Sequence, residues 1–277
     1  MYLLFDIGGT KMRLALSKDG ETFGEPKVVP TPKDFDEGMR VFKEAVDELS
    51  GGEKIEKAVG GMRGPFNKEK TMIINSSMLP LWDNKPLKEE LEKIVGAEVV
   101  IENDTAIVGL GEMHSGAGQG VEIGVYITVS TGVGGARFVD GEIDENRFGF
   151  EPGHQIVDIK EGGDPVSLEN LVSGTALEKR TGKKAYEVTD PKIWDELAHY
   201  LAYGLYNIIL QWSPDVVVLG GAMIVGDPAI DVEVVKKYLN KINTKFPELP
   251  EIKKAELKDF GGLHGALAFI KQQKELE

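Results

Sequence analysis

Cysteine is absent from all 277 residues. That single absence excludes disulfides, thiolate nucleophiles and cysteine-ligated zinc together. No uninterrupted apolar run approaches the ~20 residues that a membrane-spanning helix requires. Positive charge is also short: 32 lysines and arginines face 46 aspartates and glutamates, a net charge of −14. A surface this acidic repels phosphate backbones and anionic headgroups, so neither nucleic acid nor membrane is expected as the main partner. Phosphorylated small molecules stay open, because glycine-rich turns bind phosphate locally against a negative average field. The opening MYLLFDIGGT has no charged leader and no cleavage site, so no signal peptide is expected and a cytoplasmic globular protein is. What the chain does have is a 41% hydrophobic content, ample for a core between one large domain and two ordinary ones.

Apolar patterning gives an alternation of strands and helices. Tyr2 to Ile7 and Met12 to Leu16 read as strands joined by Gly8-Gly9-Thr10-Lys11. Phe35, Met39, Phe42, Val46 and Leu49 recur at helical spacing and end at Gly51-Gly52, a helix with a glycine stop. Ala58 to Met62 predicts a strand, Pro86 to Val95 a helix, Glu98 to Ile101 a strand, and Asp104 to His114 a helix. After the break at Gly116 to Gly120, Ile123 to Val129 and Ala136 to Val139 repeat the opening strand, glycine turn and strand. Helices are expected around Leu168 to Arg180, Trp194 to Trp212, Val232 to Ile242 and Leu263 to Gln272. Asp215 to Leu219, continuous in branched apolar residues, reads as a buried parallel strand. The class is α/β with mixed sheets. Two halves opening on the same hairpin suggest two similar lobes that face each other and hinge.

A glycine turn exposes backbone N–H groups and admits a ligand where a Cβ would block it. Phosphate is the usual anion held this way. The P-loop needs Gly-Lys-Ser/Thr leading into a helix, and no such run is present. The dinucleotide fingerprint needs G-x-G-x-x-G opening a helix. Here TKMRLALS follows Gly9 and ARFVDG follows Gly135, both patterned as strands.

An aspartate-led strand–turn–strand phosphate loop is the signature of the actin and sugar-kinase superfamily. DIGGTK at Asp6 to Lys11 resembles its first phosphate loop, and STGVGGA at Ser130 to Ala136 its second. GMRGPF from Gly61, END at Glu102 to Asp104, EPGH at Glu151 to His154, VSLENLVSG from Val166 and VVVLGGA from Val216 follow in the expected order. Together they resemble the ROK-type and bacterial glucokinase branch, from residue 6 to about 265. The resemblance implies a two-lobed actin-like ATPase fold, each lobe a mixed sheet with flanking helices, with the active site in the cleft between lobes. It implies a small N-terminal lobe over 1–107, completed by a C-terminal helix over about 265–277, and a larger lobe over 108–264.

The activity implied is transfer of the γ-phosphate of ATP to the 6-hydroxyl of glucose or a similar hexose. By the same resemblance Asp104 accepts the proton of the attacking hydroxyl and Asn103 bonds a neighbouring sugar hydroxyl. Read without it, Asn103-Asp104 is first of all a helix cap. Asp6 corresponds to the aspartate that holds Mg²⁺ through water. Gly8, Gly9, Thr10 and Lys11 would meet the phosphates, with Thr131, Gly132, Gly134 and Gly135 cradling them from the other lobe. Gly220 and Gly221 would lie under the adenosine, and Glu151, His154 and Glu169 would contact the sugar. Asn75, near Trp82, resembles a substrate-side loop. His114, His199 and His264 read as structural. A homodimer is the implied assembly.

The sequence departs from the ROK pattern where a zinc-binding cysteine cluster usually follows the Gly-His motif. IKEGGDPVSLEN stands there instead, so no zinc is expected and His154 needs another support. Ser130-Thr131 replaces the commoner Gly-Thr, and Arg63 intrudes into the Gly-x-Pro-Gly-Pro region. Alternative acceptors are fructose, mannose or an N-acetylhexosamine. A catalytically silent sugar sensor is the alternative of another class, disfavoured because Asp104 and Asp6 are retained. The DNA-binding extension of regulators on this fold is not expected, since the DIGGT segment starts at residue 6. An actin-like polymer or chaperone ATPase is disfavoured by Asn103-Asp104 and Glu-x-Gly-His.

Overall fold

The computed structural model describes residues 1–76, 78–159 and 163–276. Residues 160–162, part of the segment that replaces the cysteine cluster, lie outside the described residues. In chain order the elements are β1 (Tyr2–Ile7), β2 (Lys11–Ser17), β3 (Lys27–Pro30), α1 (Phe35–Ser50), β4 (Lys57–Met62), α2 (Leu87–Val95), β5 (Glu98–Asn103) and α3 (Asp104–Ser115). They continue as β6 (Ile123–Val129), β7 (Val133–Val139), β8 (Glu142–Ile143), β9 (Ile156–Ile159), β10 (Pro165–Ser167), α4 (Leu168–Val172), α5 (Gly174–Thr181) and α6 (Pro191–Trp212). The last are β11 (Val216–Gly220), α7 (Ala222–Val225), α8 (Val232–Ile242), β12 (Glu251–Lys254) and α9 (Gly261–Leu276). The chain forms two compact units: Met1–Ser115 with Glu145–Gly149 and the stretch from Asp259 onward, and Gly116–Asp144 with Phe150–Lys258.

The first unit is a sheet ordered β3-β2-β1-β4-β5, antiparallel at β3-β2-β1 and parallel at β1-β4-β5. β1 is apolar almost throughout because both faces are covered. Leu3, Phe5 and Ile7 join a core with Phe42, Trp82 and Leu91, while Leu4 points the other way, to Leu263, Ala266 and Ile270 of α9. The period of two places Asp6 on the α9 face with Leu4. α1 starts because the Asp34 side chain accepts from the Glu37 amide, and it stops because Gly51 takes the left-handed conformation. Its buried face carries Phe35, Met39, Phe42 and Val46, each contributing roughly 1.5–3 kcal/mol by burial. Trp82, expected beside a substrate loop, is fully buried in this core.

α3 and α9 cross at glycine. A side chain on Gly265 would fall 1.7 Å from the Ile107 carbonyl oxygen, and one on Gly111 2.6 Å from that of Gly261. This close crossing fixes the head of each helix, α3 beginning at Asp104 and α9 beginning beside Asp6.

The second unit repeats the plan. Its sheet runs β12-β11-β6-β7-β8, with β6 antiparallel to β7 and parallel to β11. Read outward from the leading strand, β7 and β8 match β2 and β3, and β11 and β12 match β4 and β5. The repeat legible in the two hairpins therefore extends to whole sheets. Val125, Ile127, Val217 and Leu219 bury against Leu197, Leu201 and Leu205 of α6. β7 begins at Val133, three residues before the expected Ala136, so Gly134 and Gly135 belong to the strand and the turn is only Ser130-Thr131-Gly132. The stretch expected as one helix from Leu168 is two, α4 and α5, broken at Ser173, whose side chain caps α5 by accepting from the Ala176 amide.

Candidate active site

In the first unit the two candidate aspartates come together. β1 and β4 run in parallel with Asp6 beside Gly61, and β4 and β5 with Met62 beside Asn103. A Cβ on Gly61 would sit 3.2 Å from Asp104 Cα and 3.6 Å from Asp6 Oδ1, so this glycine lets the carboxylates approach. On the other side a Cβ on Gly262 would come within 2.9 Å of Asp6 Cγ. The first turn of α9 thus stands against Asp6 and offers it the partial positive end of the helix. Arg13, directly across the hairpin from Asp6, places Nη1 3.3 Å from its Oδ2.

Asp6 is 8% exposed. Burial, then the charge of Asp104, pushes its carboxyl up to about 7 against the pull of Arg13. Asp104 is raised too, chiefly by burial, with Arg63 and the Thr105 amide pulling the other way. The folded chain therefore resists ionising Asp6. The stability this contributes is complete below the ordinary value of 3.8 and is lost as pH climbs through about 7. In metal-free buffer, Asp6→Asn raises the melting temperature at pH 8, and the two melting curves converge as pH is brought to 4. Curves that stay parallel across that range would show that Asp6 carries no such burden.

Asn103 does cap α3: its Oδ1 accepts from the amides of Thr105 at 2.9 Å and Ala106 at 3.4 Å. Its Nδ2 donates to the Gly64 carbonyl at 3.4 Å. Capping and the proposed sugar contact are compatible, because the amide has a second N–H. The first glycine turn closes with the Gly8 amide donating to the Lys11 carbonyl at 2.9 Å, and Thr10 and Lys11 are exposed.

The second unit gathers its candidates around the start of β7. Glu169, in the first turn of α4, accepts from the Val133 amide at 2.8 Å. A Cβ on Gly132 would lie 2.6 Å from its Oε2. The turn is tied to α5 by the Gly174 amide, which donates to the Ser130 carbonyl at 2.7 Å. Glu-x-Gly-His packs on the same strand: a Cβ on Gly153 would meet the Val133 carbonyl oxygen at 2.2 Å, and one on Gly135 would meet Pro152 Cγ at 2.7 Å. The Leu168 amide donating to the Gln155 carbonyl at 3.0 Å joins this segment to α4. Glu151, His154 and Glu169 are thereby held on neighbouring backbone. His154 is exposed, with Nε2 3.9 Å from Glu151 Oε2. Gly220 and Gly221 have packing reasons of their own. A Cβ on Gly220 would meet the Tyr126 hydroxyl at 2.2 Å, and Gly221 sits at φ +85°.

Sequence reasoning missed Arg13, Thr31, Lys33 and Gly262. Arg13 had a signal, since a four-residue turn after Ile7 puts it opposite Asp6. Thr31 and Lys33 had none, lying more than twenty residues from the turn they hold.

The chain matches the ROK family over residues 2–273 and belongs to it. It is 28% identical to a glucokinase of Thermotoga maritima, over 97% of this chain and 96% of that protein. It is also 28% identical to an N-acetyl-D-glucosamine kinase of Mannheimia succiniciproducens, over 96% and 98%. A ROK family glucokinase of Streptomyces griseus, solved with glucose and AMPPNP, superposes with a TM-score of 0.79 at 25% identity, over 98% of this chain and 99% of that one. The fold is that of ROK sugar kinases, the actin-like ATPase fold.

Proposed function

We propose that this chain is an ATP-dependent hexose kinase that transfers the γ-phosphate of ATP to the 6-hydroxyl of glucose or a similar hexose. The observation that carries the reading is the pair Asp6 and Asp104, set side by side at the floor of the first glycine turn with both carboxyls pushed up. Phosphoryl transfer needs positioning and charge stabilisation more than covalent help. Asp104, poised at a helix head with burial pushing its carboxyl above the usual carboxylate range, accepts the proton of the attacking hydroxyl. Asn103 orients an adjacent hydroxyl. Gly8, Gly9, Thr10 and Lys11 meet the phosphates from the first unit, and Thr131, Gly132, Gly134 and Gly135 shape the matching turn of the second. Gly220 and Gly221 support the adenosine, and Glu151, His154 and Glu169 read the sugar.

Mg²⁺ fits the donor set. Among the described residues no group of three or more acidic or histidine side chains is placed to hold a metal. Mg²⁺ keeps most of its waters and takes one or two carboxylates, which Asp6 supplies. Bound there, the ion neutralises charge on the phosphates. The absence of cysteine and the exposure of His154 do not suit structural zinc. No described helix is long and apolar enough to cross a membrane, and we propose a cytoplasmic homodimer.

The second reading, an N-acetylhexosamine kinase, is favoured by the equal identity to the N-acetyl-D-glucosamine kinase. A coupled ADP-release assay with Mg²⁺-ATP against glucose, mannose, fructose, N-acetylglucosamine and N-acetylmannosamine decides between them. Glucose is expected to give the highest kcat/KM. Preference for an acetylated sugar establishes the second reading, and no sugar-stimulated release from any of them defeats both.

A further inference from the structure

Lys33 belongs to none of the motifs above, yet its ammonium sits on the first glycine turn. Its Nζ donates to the Gly9 carbonyl at 3.1 Å and to the Met78 carbonyl at 3.1 Å. Two residues earlier, Thr31 Oγ1 donates to the Gly8 carbonyl at 2.8 Å, and the Thr31 amide donates to the Thr10 carbonyl at 3.0 Å. Three consecutive carbonyls, those of Gly8, Gly9 and Thr10, are thus all held by one short segment. Met78 closes the arrangement from its own side: its Cβ and Cε lie 3.0 and 3.1 Å from where a Gly9 side chain would begin. All of these residues lie within the first unit.

Peptide planarity turns this into a statement about the turn's other side. In a trans peptide the N–H points opposite to the carbonyl of the preceding residue. Carbonyls of residues 8 to 10 held by Thr31 and Lys33 leave the amides of Gly9, Thr10 and Lys11 directed away from that segment. Successive N–H groups aimed one way are what an anion requires of a glycine turn. An ammonium on the Gly9 carbonyl also polarises that peptide and strengthens its N–H as a donor. Asp6 and Asp104 lie nearby, and in their charged forms they oppose a polyphosphate, so a cation on the turn offsets part of that repulsion.

We propose that Lys33, with Thr31, is the positioning residue of the first phosphate turn. It pins the turn's carbonyls so that its amides face the nucleotide phosphates. The proposal rests on the kinase reading for the identity of the ligand, but the clamp itself can be measured without it.

The test compares Lys33→Met and Lys33→Arg with the parent. Hydrogen exchange at the Gly8 and Thr31 amides reads the clamp, and KM for Mg²⁺-ATP against KM for the sugar reads its use. In Lys33→Met, exchange in this segment is expected to quicken about tenfold and KM for Mg²⁺-ATP to rise about tenfold. The sugar KM and the melting temperature stay close to the parent's. Arginine, which also donates to two carbonyls, restores most of both. Unchanged exchange overturns the clamp. Quickened exchange with an unchanged nucleotide KM, or both KM values rising together with a fall in melting temperature, overturns the positioning role. A parent protein that binds no Mg²⁺-ATP defeats the kinase reading, and exchange alone then decides whether Lys33 holds the turn.

Discussion

Asp104→Asn lowers turnover by at least ~100-fold, the scale of a lost general base, and leaves the apparent sugar affinity within a few-fold. The substitution is nearly isosteric. Asp104 Oδ1 accepts from the Thr105 amide at 2.8 Å, and an asparagine oxygen accepts equally well, so the head of α3 keeps its bond. The Asn103 cap is untouched. Two things change: the proposed proton acceptor is gone, and so is the charge that pushes Asp6 upward. Folding is therefore unharmed, and the loss appears in kcat. Steady-state kinetics with a melting curve beside them make the measurement. A variant that keeps more than a tenth of the parental rate removes Asp104 from the role.

Gly265→Ala destabilises the first unit by about 3 kcal/mol, the upper end of what overpacking costs. A Cβ there would fall 1.7 Å from the Ile107 carbonyl oxygen. Backbone cannot yield as a flexible side chain does, so α3 and α9 must separate. Both helices serve the site at their heads, α3 with Asp104 and α9 with Gly262 against Asp6. Separation should thus lower kcat as well as stability, without any residue of the site being altered. Urea denaturation reads the first effect and turnover at low temperature the second. A change below ~0.5 kcal/mol would mean that the helices slide apart at little cost and do not set the aspartates.

Much of this arrangement was legible because it is local or periodic. The hairpins at Asp6 and Thr131 follow from alternation on both sides of glycine, and α1 from five apolar residues at helical spacing. What escaped is of three kinds. β3, β9, β10 and β12 have at most four residues each, too few for a period to show, and β12 is the largely polar EIKK. The early start of β7 was hidden because glycine signals a turn. Gly135 is in fact a strand residue, kept small by Ile127 and Pro152 on either side. The third kind is long-range. Glu169 reaches the Val133 amide across 36 residues, and Lys33 reaches Gly9 across 24. No pattern in a sequence announces a partner at that distance. The resemblance to the kinase family named the carboxylates but not the cations that hold them and the turn.

Whether a phosphate passes to a hexose 6-hydroxyl is read from the product itself. The protein is incubated with Mg²⁺-ATP and glucose, and the product is examined by phosphorus–proton NMR. One sugar phosphate is expected, its phosphorus coupled to the two protons on carbon 6, formed in step with ADP and not formed by Asp104→Asn over the same interval. ADP accompanied only by inorganic phosphate, or a phosphate on the anomeric oxygen, would contradict it.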